Sequence, residues 1–291
     1  MNKFTSLLLL GTCLLNPQAQ SCTENGTGFL PKNNLKIPIS EKNSGLTQSQ
    51  YHAVIDKVVN IYRPIVKSYG AELRIDRRWT SDVVNAGTYR DKKNTYWHIN
   101  LYGGFARHPE ITEDGFALVI CHELGHHIGG APKKIYSNNV SWASTEGQSD
   151  YFATLKCLRK VFADDDNISI VDQMNVPKKV RKECSDSFQS DWEVALCIRT
   201  SMAGLSVTKV NADSREVPHP DFYQTDPTVV EATSNKHPVP QCRLDTYFQG
   251  SLCPVPSKYP LSQTHEITAT CHPNLQYQVG LRPHCWFKPR E

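Results

Sequence analysis

The sequence predicts an α+β fold in which a small antiparallel sheet packs on two helices and a disulfide-rich C-terminal tail closes the molecule. Three observations predict it. Apolar residues recur at helical spacing over residues 47–68, and short β-prone runs separated by turn residues fill 72–102. A nearly continuous apolar stretch then begins at Phe116 and is stopped by Gly129, Gly130 and Pro132, as expected of a buried helix.

Taken in order, residues 1–21 open with Met1, Asn2 and Lys3 and continue through an apolar run from Phe4 to Leu15. That is the pattern of a signal peptide, and the run is too short to span a bilayer. Residues 22–46 form a polar arm. Val54, Val58, Ile61, Ile65 and Val66 then mark one face of an amphipathic helix, with Gly70 placed to cap it. Leu73 with Ile75, Val83 with Val84, and residues 95–102 read as strands, with a turn at 90–94 and Gly103-Gly104 as the end of the sheet. Thr112 is placed as an N-cap, with Glu113 and Asp114 in the first turn favoured by the helix dipole. A second long helix is expected from about residue 144 to 162, further helix over 177–204, loop over 217–240 and a short helix over 243–248. The folded domain is thus assigned to 47–252, and 253–291 to a Cys-rich tail packed on it.

The chain has ten cysteines and a formal net charge of +3. Eight of the cysteines follow the leader and Cys22: Cys121, Cys157, Cys184, Cys197, Cys242, Cys253, Cys271 and Cys285. An even set of that size predicts up to four disulfides in an oxidising compartment, periplasmic or extracellular. The close spacings make Cys242–Cys253 and Cys271–Cys285 the expected local pairs. Cys22 is left over; Ala19-Gln20-Ser21 before it fits signal cleavage and loosely resembles a bacterial lipobox, so a lipid anchor at Cys22 would account for it. Sequons at Asn25, Asn139 and Asn167 matter only in a eukaryotic secretory pathway. Basic and acidic residues are interspersed, which excludes a nucleic-acid footprint, and no later apolar run is long enough for a transmembrane helix.

The chemistry concentrates in Cys121-His122-Glu123-Leu124-Gly125-His126-His127. In His-Glu-x-x-His on a helix, two imidazoles four residues apart share a face and can reach one zinc ion, with the Glu beside them as a base. Nineteen residues intervene between His126 and Glu146, and Asp150 follows one helical turn later in Glu-Gly-Gln-Ser-Asp. His122, His126 and Glu146 are therefore the expected ligands of one Zn2+ per chain, with a fourth position open for chemistry. Asp150 is expected to accept a hydrogen bond from a ligating histidine, His122 by preference, and Glu123 to act as general base and acid. The apolar flanks matter to this reading, because burying two His and a Glu without a partner is costly. His127 lies on another helix face and reads as a satisfied core or rim histidine; Cys121 diverges from the ligand face and reads as a disulfide or buried thiol.

His-Glu-x-x-His followed by Glu-x-x-x-Asp resembles the gluzincin metallopeptidases, and with it a zincin-like fold is implied. Val84-Asn85-Ala86 ahead of a strand, and His237-Pro238-Val239-Pro240-Gln241-Cys242-Arg243 downstream, narrow the likeness to the type-I CAAX prenyl endopeptidases and their soluble periplasmic relatives. The third ligand here follows the second histidine more closely than in many members of that family, which is nearer the thermolysin-like spacing. The resemblance spans about residues 47–249. It implies that residues 95–102 hold an extended peptide or protein substrate by backbone pairing, and that His237 and Arg243 lie near the cleft, stabilising an oxyanion or gating access. The function expected is an exported zinc metalloendopeptidase; the alternative is a catalytically silent zincin serving as an envelope binding or chaperone-like module.

Overall fold

The structure, a computed structural model, describes residues 28–40, 44–137 and 139–289. The leader, Cys22 and the sequon at Asn25 lie outside the described residues. Helix α1 (Gln48–Ser68) starts at Thr47, which forms a capping box with Gln50, and buries Tyr51, Val54, Ile55, Val58, Val59, Tyr62 and Val66. Strands β1 (Glu72–Arg78), β2 (Ala86–Arg90) and β3 (Tyr96–Tyr102) follow, then the single turn α2 (Gly103–Ala106) and the motif helix α3 (Glu113–Ile128). Thr112 caps α3 by accepting from the Gly115 amide, and every residue from Gly115 to Ile128 is buried.

The sheet is mixed, not antiparallel as expected. Its order is β1-β3-β2, with β3 parallel to β1 and antiparallel to β2. Strand β3 is therefore central, and it cannot offer its backbone to a substrate as the resemblance implied; the outer strand, preceded by Asn85, is β2. Val83 and Val84 fall short of β2, and Val83 instead bridges Lys36 of the arm.

Between the two ligand helices lies a hairpin that the sequence reading did not foresee, β4 (Lys133–Tyr136) and β5 (Asn139–Ser144). The second ligand helix is continuous from Glu146 to Val161 but changes pitch: α4 (Glu146–Phe152), a π-helical segment (Ala153–Cys157) and α5 (Leu158–Val161). Helices α6 (Asn167–Asp172), α7 (Lys178–Ser187), α8 (Asp191–Asp213) and α9 (Pro240–Leu252) complete the body. Asn167, a sequon residue, is fully buried and donates to the carbonyl oxygens of Phe162 and Asp165, so it is inaccessible to a glycan.

Among the described residues there are four disulfides: Cys121–Cys157, Cys184–Cys197, Cys242–Cys285 and Cys253–Cys271. Both local pairs expected from spacing are thereby corrected. Cys242 sits in the first turn of α9 and Cys253 just beyond its end. At 1.5 Å rise per residue their Cα atoms are about 16 Å apart, far beyond the roughly 6 Å that a disulfide spans. The tail is more than stapled: Trp286 is fully buried and packs on Gly147, where a Cβ would come within 2.1 Å of its ring. None of the helices among the described residues is long and apolar enough to cross a membrane, and with four disulfides this is consistent with an exported protein.

Candidate metal centre

Helices α3 and α4 bring His122, His126 and Glu146 together with no exposed side-chain surface. One candidate ligand atom from each lies within 4.8 Å of the others. His122 Nε2 is 3.3 Å from Glu146 Oε2, and His126 Nε2 is 3.6 Å from Glu146 Oε1. Ligands about 2.1 Å from one tetrahedral ion stand about 3.4 Å from each other, so the spacing fits a single divalent cation. A second cluster, Asp226 with Cys242 and Cys285, does not fit, because those cysteines are joined in a disulfide.

The outer ring nitrogens are already engaged. His122 Nδ1 is 2.7 Å from Asp150 Oδ1, and His126 Nδ1 is 2.9 Å from the Ser144 carbonyl oxygen and 3.0 Å from Ser149 Oγ. Each imidazole thus turns Nε2 inward. Among the described residues, His122 Nε2 and both carboxylate oxygens of Glu123 are buried without a hydrogen-bond partner. Buried polar atoms in that state are costly, and the donor set, two imidazoles and a carboxylate with a second carboxylate beside them, suits a divalent metal. The disulfide Cys121–Cys157 ties α3 to the π-helical segment after α4, which fixes the two ligand helices against each other.

Electrostatics follow from burial. Burial alone would lower the His122 pKa, but the charge and hydrogen bond of Asp150 outweigh it and raise it to about 9. Burial raises Glu123 to about 7, with Glu146 adding to the shift. Burial opposes ionisation of Glu146, yet His237, Lys134 and His126 hold its carboxyl well below the usual range.

Asp150 lies behind His122 as expected from its place in the second half of the motif. Arg243, also wholly buried, grips it with two bonds, Nε to Oδ2 at 2.9 Å and Nη2 to Oδ1 at 2.7 Å, and Tyr247 donates to the same carboxylate. Arg243 thus backs Asp150, and its Nη1 reaches the Phe29 carbonyl oxygen at 2.8 Å. His237 does face the cluster, with Nε2 3.4 Å from Glu146 Oε2. His127 is stacked between Trp97 and Trp142 and bonded to Thr88 and Arg90, a satisfied core histidine.

Two contributors went unread in the sequence. Lys134 on β4 is buried and places Nζ 2.6 Å from Glu146 Oε1, and Tyr247 lies one helical turn beyond Arg243 on α9. The i,i+4 spacing of Arg243 and Tyr247 was the available signal for the second; nothing local marks Lys134. Comparison with protein-family models, with curated proteins and with solved structures finds no match to this chain.

Proposed function

We propose that the protein is a zinc-dependent endopeptidase of the gluzincin type. The observation that carries this is the buried Glu123, whose carboxylate lacks any hydrogen-bond partner beside three residues spaced as the ligands of one tetrahedral ion. His122, His126 and Glu146 would hold zinc, which when bound polarises a peptide carbonyl and makes water more acidic. Glu123 receives the proton of the attacking water and returns it to the leaving amine. His237, whose Nε2 is 3.4 Å from Glu146 Oε2, would donate to the carbonyl oxygen as it gains charge. Asp150, clamped by Arg243 and Tyr247, holds His122 in the tautomer that presents Nε2.

The test compares wild type with Glu123→Gln for metal content and for cleavage of an unstructured protein. Stoichiometric zinc in both, with hydrolysis lost by a factor of about a hundred or more in the variant, is expected. Zinc in both and cleavage in neither would instead favour the catalytically silent module.

A further inference from the structure

The arm enters the metal centre. Gly28, Phe29 and Leu30 lie at the start of β2 beside the metal cluster, and every backbone polar group from the Gly28 carbonyl to the Leu30 carbonyl is held. His237 Nε2 is 2.6 Å from the Gly28 oxygen. The Phe29 amide donates to the Ala86 carbonyl at 2.9 Å, and Arg243 Nη1 donates to the Phe29 carbonyl at 2.8 Å. Asn85 takes both sides of the next residue, Oδ1 accepting from the Leu30 amide at 3.0 Å and Nδ2 donating to its carbonyl at 3.2 Å. The carbonyl of Gly28 is thus held by the histidine whose Nε2 is 3.4 Å from Glu146 Oε2, and the Gly28–Phe29 peptide bond follows it.

The side chains fit as closely as the backbone. Phe29 is fully buried, with its ring edge-on to His122 at 4.8 Å and to Phe105 at 5.6 Å, and with the Arg243 guanidinium 4.1 Å over its face. At Gly28 a Cβ would come within 2.3 Å of the Ala86 oxygen and 2.4 Å of Asn85 Oδ1, so only glycine passes there. Beyond Leu30 the chain stays on the body: Ile37 donates to the Asp82 carbonyl, Arg107 donates twice to the Ile37 carbonyl, and Leu46 donates to the Ala106 carbonyl.

We propose that this segment is a substrate bound in cis: the protein hydrolyses its own Gly28–Phe29 bond once, and the segment from Phe29 then stays docked with its new N-terminus in the cleft. The proposal rests on the peptidase reading. The water oxygen bonds to the Gly28 carbonyl carbon while His237 faces the carbonyl oxygen. Glu123 takes one proton of the water and passes it to the Phe29 nitrogen as the C–N bond breaks, and the second proton of the water follows to the same nitrogen, leaving a Gly28 carboxylate and a Phe29 ammonium. The cut severs Cys22, and any anchor on it, from the folded body. It also defines a substrate class for cleavage in trans: extended peptides with glycine before the scissile bond and an aromatic residue after it.

Intact mass and N-terminal sequencing of full-length wild type and Glu123→Gln, both loaded with zinc, test this. A wild-type chain beginning at Phe29, beside a variant that retains residues upstream of Gly28, is the expected result. Amide hydrogen exchange on Glu123→Gln supplies a readout without turnover: the Phe29 and Leu30 amides should exchange at least a hundredfold more slowly than in Asn85→Ala/Glu123→Gln. If wild type cuts an unstructured protein in a Glu123-dependent way yet shares its N-terminus with Glu123→Gln, self-cleavage is overturned and the peptidase reading stands. Fast exchange of both amides in Glu123→Gln overturns the bound segment itself. Wild type that cuts neither itself nor the external protein overturns both readings together.

Discussion

Arg243→Met is the substitution with the largest consequence that the geometry supports. The guanidinium is fully buried and makes four hydrogen bonds: two to Asp150, one to the Phe29 carbonyl and one to Tyr247 Oη. Methionine fills much of the same volume but supplies no donor, so Asp150 becomes a buried carboxylate short of its cation. Breaking a buried pair from one side costs about 3–5 kcal/mol, and the abandoned Phe29 carbonyl adds about 1–3 kcal/mol. His122 and Tyr247 still face Asp150 and recover part of this, so a net loss of about 4 kcal/mol is expected. For a chain of this size that lowers Tm by about 8–16 °C. The measurement is guanidinium unfolding followed by tryptophan fluorescence, on metal-free protein with its disulfides intact, so that ligand binding does not enter. Adding Asp150→Leu to Arg243→Met removes the stranded charge, and the double variant should be more stable than the sum of the singles by about 2 kcal/mol or more. A loss under about 1 kcal/mol for Arg243→Met, or strict additivity, would refute the account of Asp150 as a carboxylate that depends on Arg243.

Three further outcomes follow from burial and charge. In the metal-free protein His122 holds its proton up to about pH 9, and a metal must displace it. Apparent zinc affinity should therefore climb by up to about tenfold per pH unit between pH 6 and 8.5 in competition with a chromophoric chelator, and a flat profile would count against the assignment. Lys156 is buried, and desolvation lowers its pKa to about 7. Below that pH both folded and unfolded chains carry the ammonium and the folded state bears the whole penalty, whereas above the unfolded value of about 10.4 neither is charged. The stability deficit of wild type against Lys156→Met should thus shrink as pH rises from 7 to 9.5; a constant gap in urea titrations would disprove the shift. Gly147→Ala would push Trp286 off its seat beside Glu146, costing about 1–3 kcal/mol by calorimetry, and an unchanged Tm would show that the ring can yield.

What could be read from the sequence is what one or two helical turns encode. Thr112 caps its helix where expected, and Asp150 meets His122 because both lie on faces set by i,i+4 spacing. Sheet order has no such local code. Alternation says which face of a strand is buried, not which strand lies beside it, and the parallel pairing of β1 with β3 passes over β2 in sequence. The clue that was available is density: β3 is buried along almost its whole length while β1 is mostly exposed, the mark of a central and an outer strand. The disulfides failed for a related reason. Nearness in sequence favours contact only when no rigid element intervenes, and α9 keeps Cys242 and Cys253 at opposite ends of a rod.

The same distinction separates the site from what occupies it. The ligands come from two adjacent helices joined by a short hairpin, so a pattern within residues 122–150 is enough to specify them. The arm segment is different in kind. Phe29 meets Ala86, His122 and Arg243, partners 57 to 214 residues away. The Phe29-Leu30 pair, with Leu35, Ile37 and Ile39 after it, was the local signal in the arm, since nothing in an exposed arm needs a buried aromatic. Glycine before it completes the signature, because a backbone that must pass within van der Waals contact of a strand edge tolerates no Cβ. An arm held on the body at Phe29, Ile37 and Leu46 is therefore better read as a docked tether than as a linker, and the position of Phe29 beside His122 ties it to the chemistry.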